Sequence, residues 1–335
     1  MILHPGIIAL LTGALIEVAL LIYSSYIGLV IIMRWNANSS TEEQLSLERK
    51  TYLVSTIMSF VLAFSILSTL LFIYTVDGMH RLFTGAMCAT GSLNANPVGW
   101  YALYMKISIF FLASIWIAVN YIDQRTEDSP LVKKKFILLL CITPFLFSDI
   151  YLQFRYFLGL KPNIITSCCG SLFSKEGGGM AGGLSGLPTH PMEYIFFSSI
   201  FIYVFIACVS LFSSKGFIKY LTGLMAIVLF IISLASIISF ISLYFYEIPT
   251  HHCPFDILQG HYNYIGYPLY ISLFGGTVFG ILTGVGEGLK KSRLLTIQIN
   301  NLQRKWTITS IALITIFALI CIYPMIFSSF TLEGY

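Results

Sequence analysis

Eight long apolar stretches constrain this chain more than any other feature: residues 6–33, 51–76, 100–121, 136–160, 192–213, 220–246, 266–285 and 306–329. Each is long enough to cross an apolar layer of about 30 Å, which takes about 20 helical residues. Lipid offers no partner to a backbone N–H or C=O, so only helices and closed barrels cross it. These stretches are too long and too continuously apolar for barrel strands. Composition agrees, with 57% of 335 residues hydrophobic and 10% charged, and a mean hydropathy of +0.83. Soluble domains do not look like this. The expected fold is all-α: a polytopic membrane protein with eight transmembrane helices, residues 1–335 forming one transmembrane helical-bundle domain, with no soluble domain.

Basic residues orient the bundle. One set of alternate connections holds Arg34, Arg49, Lys50, Arg125, Lys133, Lys134, Lys135, Lys215, Lys219, Lys290, Lys291, Arg293, Arg304 and Lys305, and the other holds Arg81, Lys161 and Lys175. Fourteen against three puts the first set inside and both termini outside, in an inner or plasma membrane. The net charge of +4 therefore describes cytoplasmic loops and gives no sign of nucleic-acid binding. Met1 to Gly6 lacks a basic n-region, and the stretch that follows is too long for a signal peptide, so it is read as a retained helix. The glycosylation pattern at Asn38-Ser39-Ser40 falls on the inner side and is read as accidental.

Two inner connections are expected to hold surface helices. Residues 34–50 carry capping-box pairs, Ser40 with Glu43 and Thr41 with Gln44. Residues 287–305 alternate leucine and isoleucine with basic residues, as an interfacial helix on anionic lipid does. No internal repeat stands out at the level of motifs, so symmetry does not argue for a transporter. Gly276, Gly280, Gly284 and Gly288 line one helix face and predict a close helix crossing, within the chain rather than between two copies.

The chemistry-bearing residues gather on the predicted outer side. All six histidines and four of seven cysteines lie there: His80 and Cys88 in one segment, Cys168, Cys169 and His190 in a second, and His251, His252, Cys253, Asp256 and His261 in a third. His4 precedes the first helix, and Cys141, Cys208 and Cys321 fall inside helices, where cysteine packs as a small hydrophobe. The four outer cysteines allow three pairings. Neighbours on a trans peptide have Cα atoms 3.8 Å apart, below the disulfide range of about 4.4–6.8 Å, which disfavours a Cys168–Cys169 bond. Either each of that pair reaches Cys88 or Cys253, making a structural staple, or the vicinal bond forms transiently, making a redox device. Cys88, Cys168, Cys169 and Cys253 are the candidate catalytic thiols, with imidazoles available to activate Cys253.

The same residue types suit a soft metal. Cys253, His80, His190, His251, His252 and His261 are candidate ligands for copper or zinc, with Met79 and Met87 favouring copper. There is no CxxCH, so covalent haem is not expected, and no histidine lies at depth to carry haems across the bilayer. His251 and His252 diverge in any regular element, so convergence on one ion needs a loop, which Pro249 and Pro254 permit. Asp256 could orient an imidazole or cap the following turn.

Four intramembrane polar residues remain. Glu17 and Asp149 fall near mid-bilayer, where charge is functional by default, and are read as proton carriers or as offsetting a cation. Lys106 and Arg155 lie nearer the outer boundary and are expected to snorkel to the headgroups. Two functions of different class follow. One is a thiol–disulfide oxidoreductase at the extracytoplasmic face, acting on a thiol protein and coupled to a quinone. The other binds or transports a soft metal ion or haem. A structural subunit of a larger membrane complex, its outer loops stapled by disulfides, is the third.

Overall fold

The computed structural model describes residues 3–36, 41–126, 129–161, 165–166, 187–290, 293–330 and 332. The regular structure is all helical, with no strand among the described residues, and eight helices are long and apolar enough to cross a membrane. Contacts divide the chain into two compact units, residues 1–84 with 92–164, and residues 85–91 with 165–335.

The first unit is built from α1 (Pro5–Arg34), α2 (Glu42–Gly78), α4 (Gly99–Gln124) and α5 (Val132–Leu158), and the short α3 (Ala89–Asn94) is divided, with residues 89–91 counted in the second unit and 92–94 in the first. Local chemistry sets the helix ends. His4 caps α1 by accepting the Gly6 N–H at 3.2 Å, and Pro5 costs nothing there because its missing N–H would be unpaired anyway. Thr41 Oγ1 accepts the Gln44 N–H at 3.4 Å, and Glu42 and Glu43 complement the dipole of α2. The surface helix expected before residue 51 is not separate: α2 runs unbroken for 37 residues, because nothing between Glu42 and Gly78 interrupts it. α1, α2, α4 and α5 close into a ring, each packed on two neighbours. Leu21, Ile31, Met58, Leu62, Trp116, Phe136 and Leu139 fill one part of its core.

The second unit repeats that plan with α6 (Thr189–Phe212), α7 (Gly216–Ser236), α9 (Gly266–Leu289) and α10 (Arg293–Phe327). α7 passes through a π turn at Ile237–Ile241 into the short α8 (Ser242–Tyr246). Here too the predicted interfacial helix is not separate but the start of the long apolar α10, which has no proline before Pro324. The glycine stripe works inside this unit. A Cβ on Gly276 would strike Ile314, one on Gly280 would strike Tyr203 and Ala226, and one on Gly284 would press on Gly223.

The matching rings expose a repeat that motif inspection passes over. Cys88-x4-Leu93 followed by Asn96-x-Val98-Gly99 corresponds to Cys253-x4-Leu258 followed by Asn263-x-Ile265-Gly266. In each case the glycine opens the third long helix of a ring. Each lies against its own preceding segment: a Cβ on Gly99 would overlap Leu93 O, and one on Gly266 would come within 2.9 Å of Ile257 O. Unequal spacing between cysteine and glycine hides the likeness.

Candidate functional site

The second unit shapes its candidate site from the end of α7 onward. A π turn widens the helix and leaves a carbonyl without its regular partner. His252 Nδ1 donates to Ile238 O, within this turn, at 2.9 Å, which seats the loop against the helix. The helix ends at Glu247 in a left-handed conformation, φ 54°, and Pro249 and Pro254 keep the next residues from coiling again. Single 3-10 turns follow at Asp256–Leu258 and Gly260–Tyr262. Asn263 and Tyr264 then reverse the chain with φ of 51° and 56°, a conformation that costs a tyrosine about 1–2 kcal/mol.

Two tyrosines hold the cysteine in place. Tyr246 Oη donates to Cys253 O at 2.5 Å and accepts the Ile257 N–H at 3.0 Å, closing the loop on itself. Tyr270 Oη, from α9, donates to Pro254 O at 2.6 Å. Residues 85–91 lie alongside, with Gln259 Nε2 donating to Met87 O at 2.8 Å. That contact helps bring Cys88 to the site.

Cys88 and Cys253, 165 residues apart in sequence, place their sulfur atoms 3.4 Å from each other. Both are fully buried. Thr90 Oγ1 lies 3.5 Å from Cys253 Sγ, and the thiols and the Asp256 carboxylate stand within 4.8 Å of one another. His251 Nε2 meets Asp256 Oδ2 at 2.5 Å, while Asp256 Oδ1 is buried with no hydrogen bond of normal geometry. Burial alone would raise the Asp256 carboxyl, but His251 and the two adjacent thiols outweigh it and hold the group below its ordinary value. Burial, and then the nearby Asp256 and Cys253, push the Tyr262 hydroxyl up.

Of the four outer cysteines, the described residues include Cys88 and Cys253, which meet as free thiols. Cys168 and Cys169 lie outside the described residues. His251 and His252 diverge to different partners, Asp256 and Ile238 O. His261 is exposed on its 3-10 turn, and exposed His190 lies 3.7 Å from Glu193. His80, in the first unit, contacts the Asp77 carbonyl. The correspondence between the two cysteine segments was the signal that could have paired Cys88 with Cys253 in advance. Tyr246 and Tyr270 could not have been found from spacing alone.

In the first unit, Lys106 does not snorkel. It is 2% exposed, and its ammonium donates to Asp149 Oδ2 at 2.7 Å and to Ser68 Oγ at 3.1 Å. Its position on α4 turns it inward, where Asp149 on α5 offers a carboxylate within reach. Arg155 is exposed and lies 5.9 Å over the Tyr151 ring. Glu17 and Asp149 are both buried. Cys321 is buried as expected, but Cys141 faces outward from its helix. No family model, curated protein or solved structure matches the chain.

Proposed function

We propose that this protein is a membrane thiol–disulfide oxidoreductase whose working pair is Cys88 and Cys253. The observation that carries the reading is the 3.4 Å separation of two buried sulfurs from segments distant in sequence. Oxidation would join the two Sγ atoms, break two S–H bonds and release two electrons and two protons, which a quinone in the bilayer takes up to become a quinol. A partner protein's dithiol would reset the pair, becoming a disulfide itself as the Cys88–Cys253 bond returns to two thiols. Asp256, backed by His251, is positioned to accept a proton as a thiol ionises. The excess of basic residues in the alternate loops supports an extracytoplasmic location for this chemistry.

The test is a thiol count by mass on the reduced, purified full-length chain, before and after exposure to a short-chain quinone. Two thiols should disappear in the wild type and none in Cys88→Ser or Cys253→Ser, with Cys321→Ser behaving as wild type. Persistence of both thiols in the presence of quinone would refute the reading.

A second reading, a soft-metal site, is favoured by one observation: two thiols and a carboxylate within 4.8 Å, with Asp256 Oδ1 unsatisfied. Two sulfurs and an oxygen suit zinc, and two thiolates alone suit Cu(I). About one equivalent of metal by elemental analysis, lost in Cys253→Ser, together with inertness toward quinone, would select this reading over the first.

A further inference from the structure

The first unit contains a buried polar chain that touches all four of its spanning helices and takes no part in the thiol chemistry. Ser65 Oγ on α2 lies 2.5 Å from Glu17 Oε1 on α1. Ser68 Oγ donates to Ser65 O at 2.8 Å, and Lys106 Nζ on α4 donates to Ser68 Oγ at 3.1 Å and to Asp149 Oδ2 on α5 at 2.7 Å. Gln153, one turn beyond Asp149, donates through Nε2 to Leu10 O at 3.0 Å, back on α1. Asp149 Oδ1 and Gln153 Oε1 are buried without any donor, so the cluster is rich in acceptors and short of hydrogens. The charges of Lys106 and Asp149 both act on Glu17.

Two counts lead to the same conclusion. Two carboxylates and one ammonium leave one negative charge buried at mid-span, where an unpaired charge is costly. Ser65 Oγ has one hydrogen but two acceptor neighbours, Glu17 Oε1 at 2.5 Å and Val61 O at 3.1 Å. Both contacts are satisfied together only when Glu17 supplies its own hydrogen, donating to Ser65 Oγ while Ser65 donates to Val61 O.

We propose that the first unit is a proton-binding site, in which Glu17 holds one exchangeable proton beside the Lys106–Asp149 ion pair. Asp149 stays ionised because Lys106 donates to it directly. Glu17, whose partner is a neutral hydroxyl, takes the proton. The ligand is a proton and not a metal cation, because Lys106 already occupies the position from which a cation would reach Asp149.

The test counts protonated carboxyls by infrared spectroscopy on the full-length protein in lipid at neutral pH, with H2O exchanged for D2O. The charge count predicts one protonated carboxyl in the wild type and none in Glu17→Gln. It also predicts none in Asp149→Asn, where the remaining carboxylate pairs with Lys106, and two in Lys106→Gln. Glu17→Gln keeps a donor for Ser65 and should fold like the wild type, which thermal unfolding checks. A wild type with no protonated carboxyl, or one whose band vanishes on adding sodium, would overturn the proposal. So would an Asp149→Asn variant that folds and still keeps the band. None of these readouts depends on the cysteines, so the proposal can fail while the thiol reading stands, and the reverse.

Discussion

Substituting alanine for Gly280 tests the packing of the second unit quantitatively. A Cβ at Gly280 would stand 2.5 Å from Tyr203 Oη and 2.7 Å from Ala226 Cβ. Carbon atoms rest about 3.5–4.0 Å apart, so close to an ångström must be found. Tyr203 cannot yield it, since its ring is fully buried and its hydroxyl is 2.5 Å from Ser310 Oγ. Ala226 Cβ is fixed to the backbone of α7, so α7 and α9 must separate, and overpacking of this kind costs about 1–3 kcal/mol. Helix propensity pulls the other way, because alanine is favoured over glycine by about 1 kcal/mol. Gly275→Ala is the control that removes this term. It is also mid-helix, but its Cβ meets only the far end of Leu313, at 3.1 Å. The difference between the two variants then isolates the packing cost. Unfolding in detergent, followed by tryptophan fluorescence against denaturant, should place Gly280→Ala about 1–3 kcal/mol below Gly275→Ala, with oligomeric state unchanged in both. Equal stabilities, or loss of a dimer in Gly280→Ala, would refute packing within the unit.

Mild oxidation of the reduced protein should link residues 85–91 to residues 247–265 through one intramolecular bond, seen as two proteolytic fragments that separate only after reduction. If no such link forms, the 3.4 Å approach is not that of the protein in solution. Asp256 sets an acid limit: its pKa is lowered on folding, so its contribution is complete above the unfolded value and is lost as pH falls through the folded one. Pepsin should therefore begin to cut the 247–265 segment only below the ordinary carboxylate range, and earlier in Asp256→Asn. A loop equally resistant in both proteins would speak against that role. In the first unit Lys135 is 2.7 Å from Asp123, whose Oδ1 also accepts the Leu131 N–H at 2.8 Å. Asp123→Ala strands a buried ammonium and should cost about 3–5 kcal/mol, much of it recovered when Lys135→Leu is added. A double variant no more stable than the single one would contradict this.

The eight long helices were legible because each leaves a run of about twenty apolar residues, the length and composition that crossing an apolar layer demands. Helix ends were less so. Residues 42–50 and 293–305 are polar enough to be read as separate surface elements, yet a helix without glycine or proline has no reason to stop where its composition turns polar. Lys106 shows the limit of depth as a guide. Snorkelling and ion pairing are both open to a lysine near the boundary, and only the position of Asp149 on the neighbouring helix decides between them. The thiol pair was hidden for another reason. Proximity over 165 residues is a property of packing within the second unit, and the one local clue, the shared cysteine-to-glycine pattern, is blurred by two extra residues in the second copy.

The widened turn at Ile237–Ile241 makes the register of everything after it a matter of a single residue. Removing one amino acid there would let the helix wind regularly, and each residue of a regular helix accounts for about 100° of rotation. The chain would then leave α8 pointing a quarter-turn away, the Ile238 carbonyl would be claimed by its own helix, and His252 would lose its anchor. A lesion at a purely aliphatic spot would thus unseat Cys253 while leaving every chemically active side chain present.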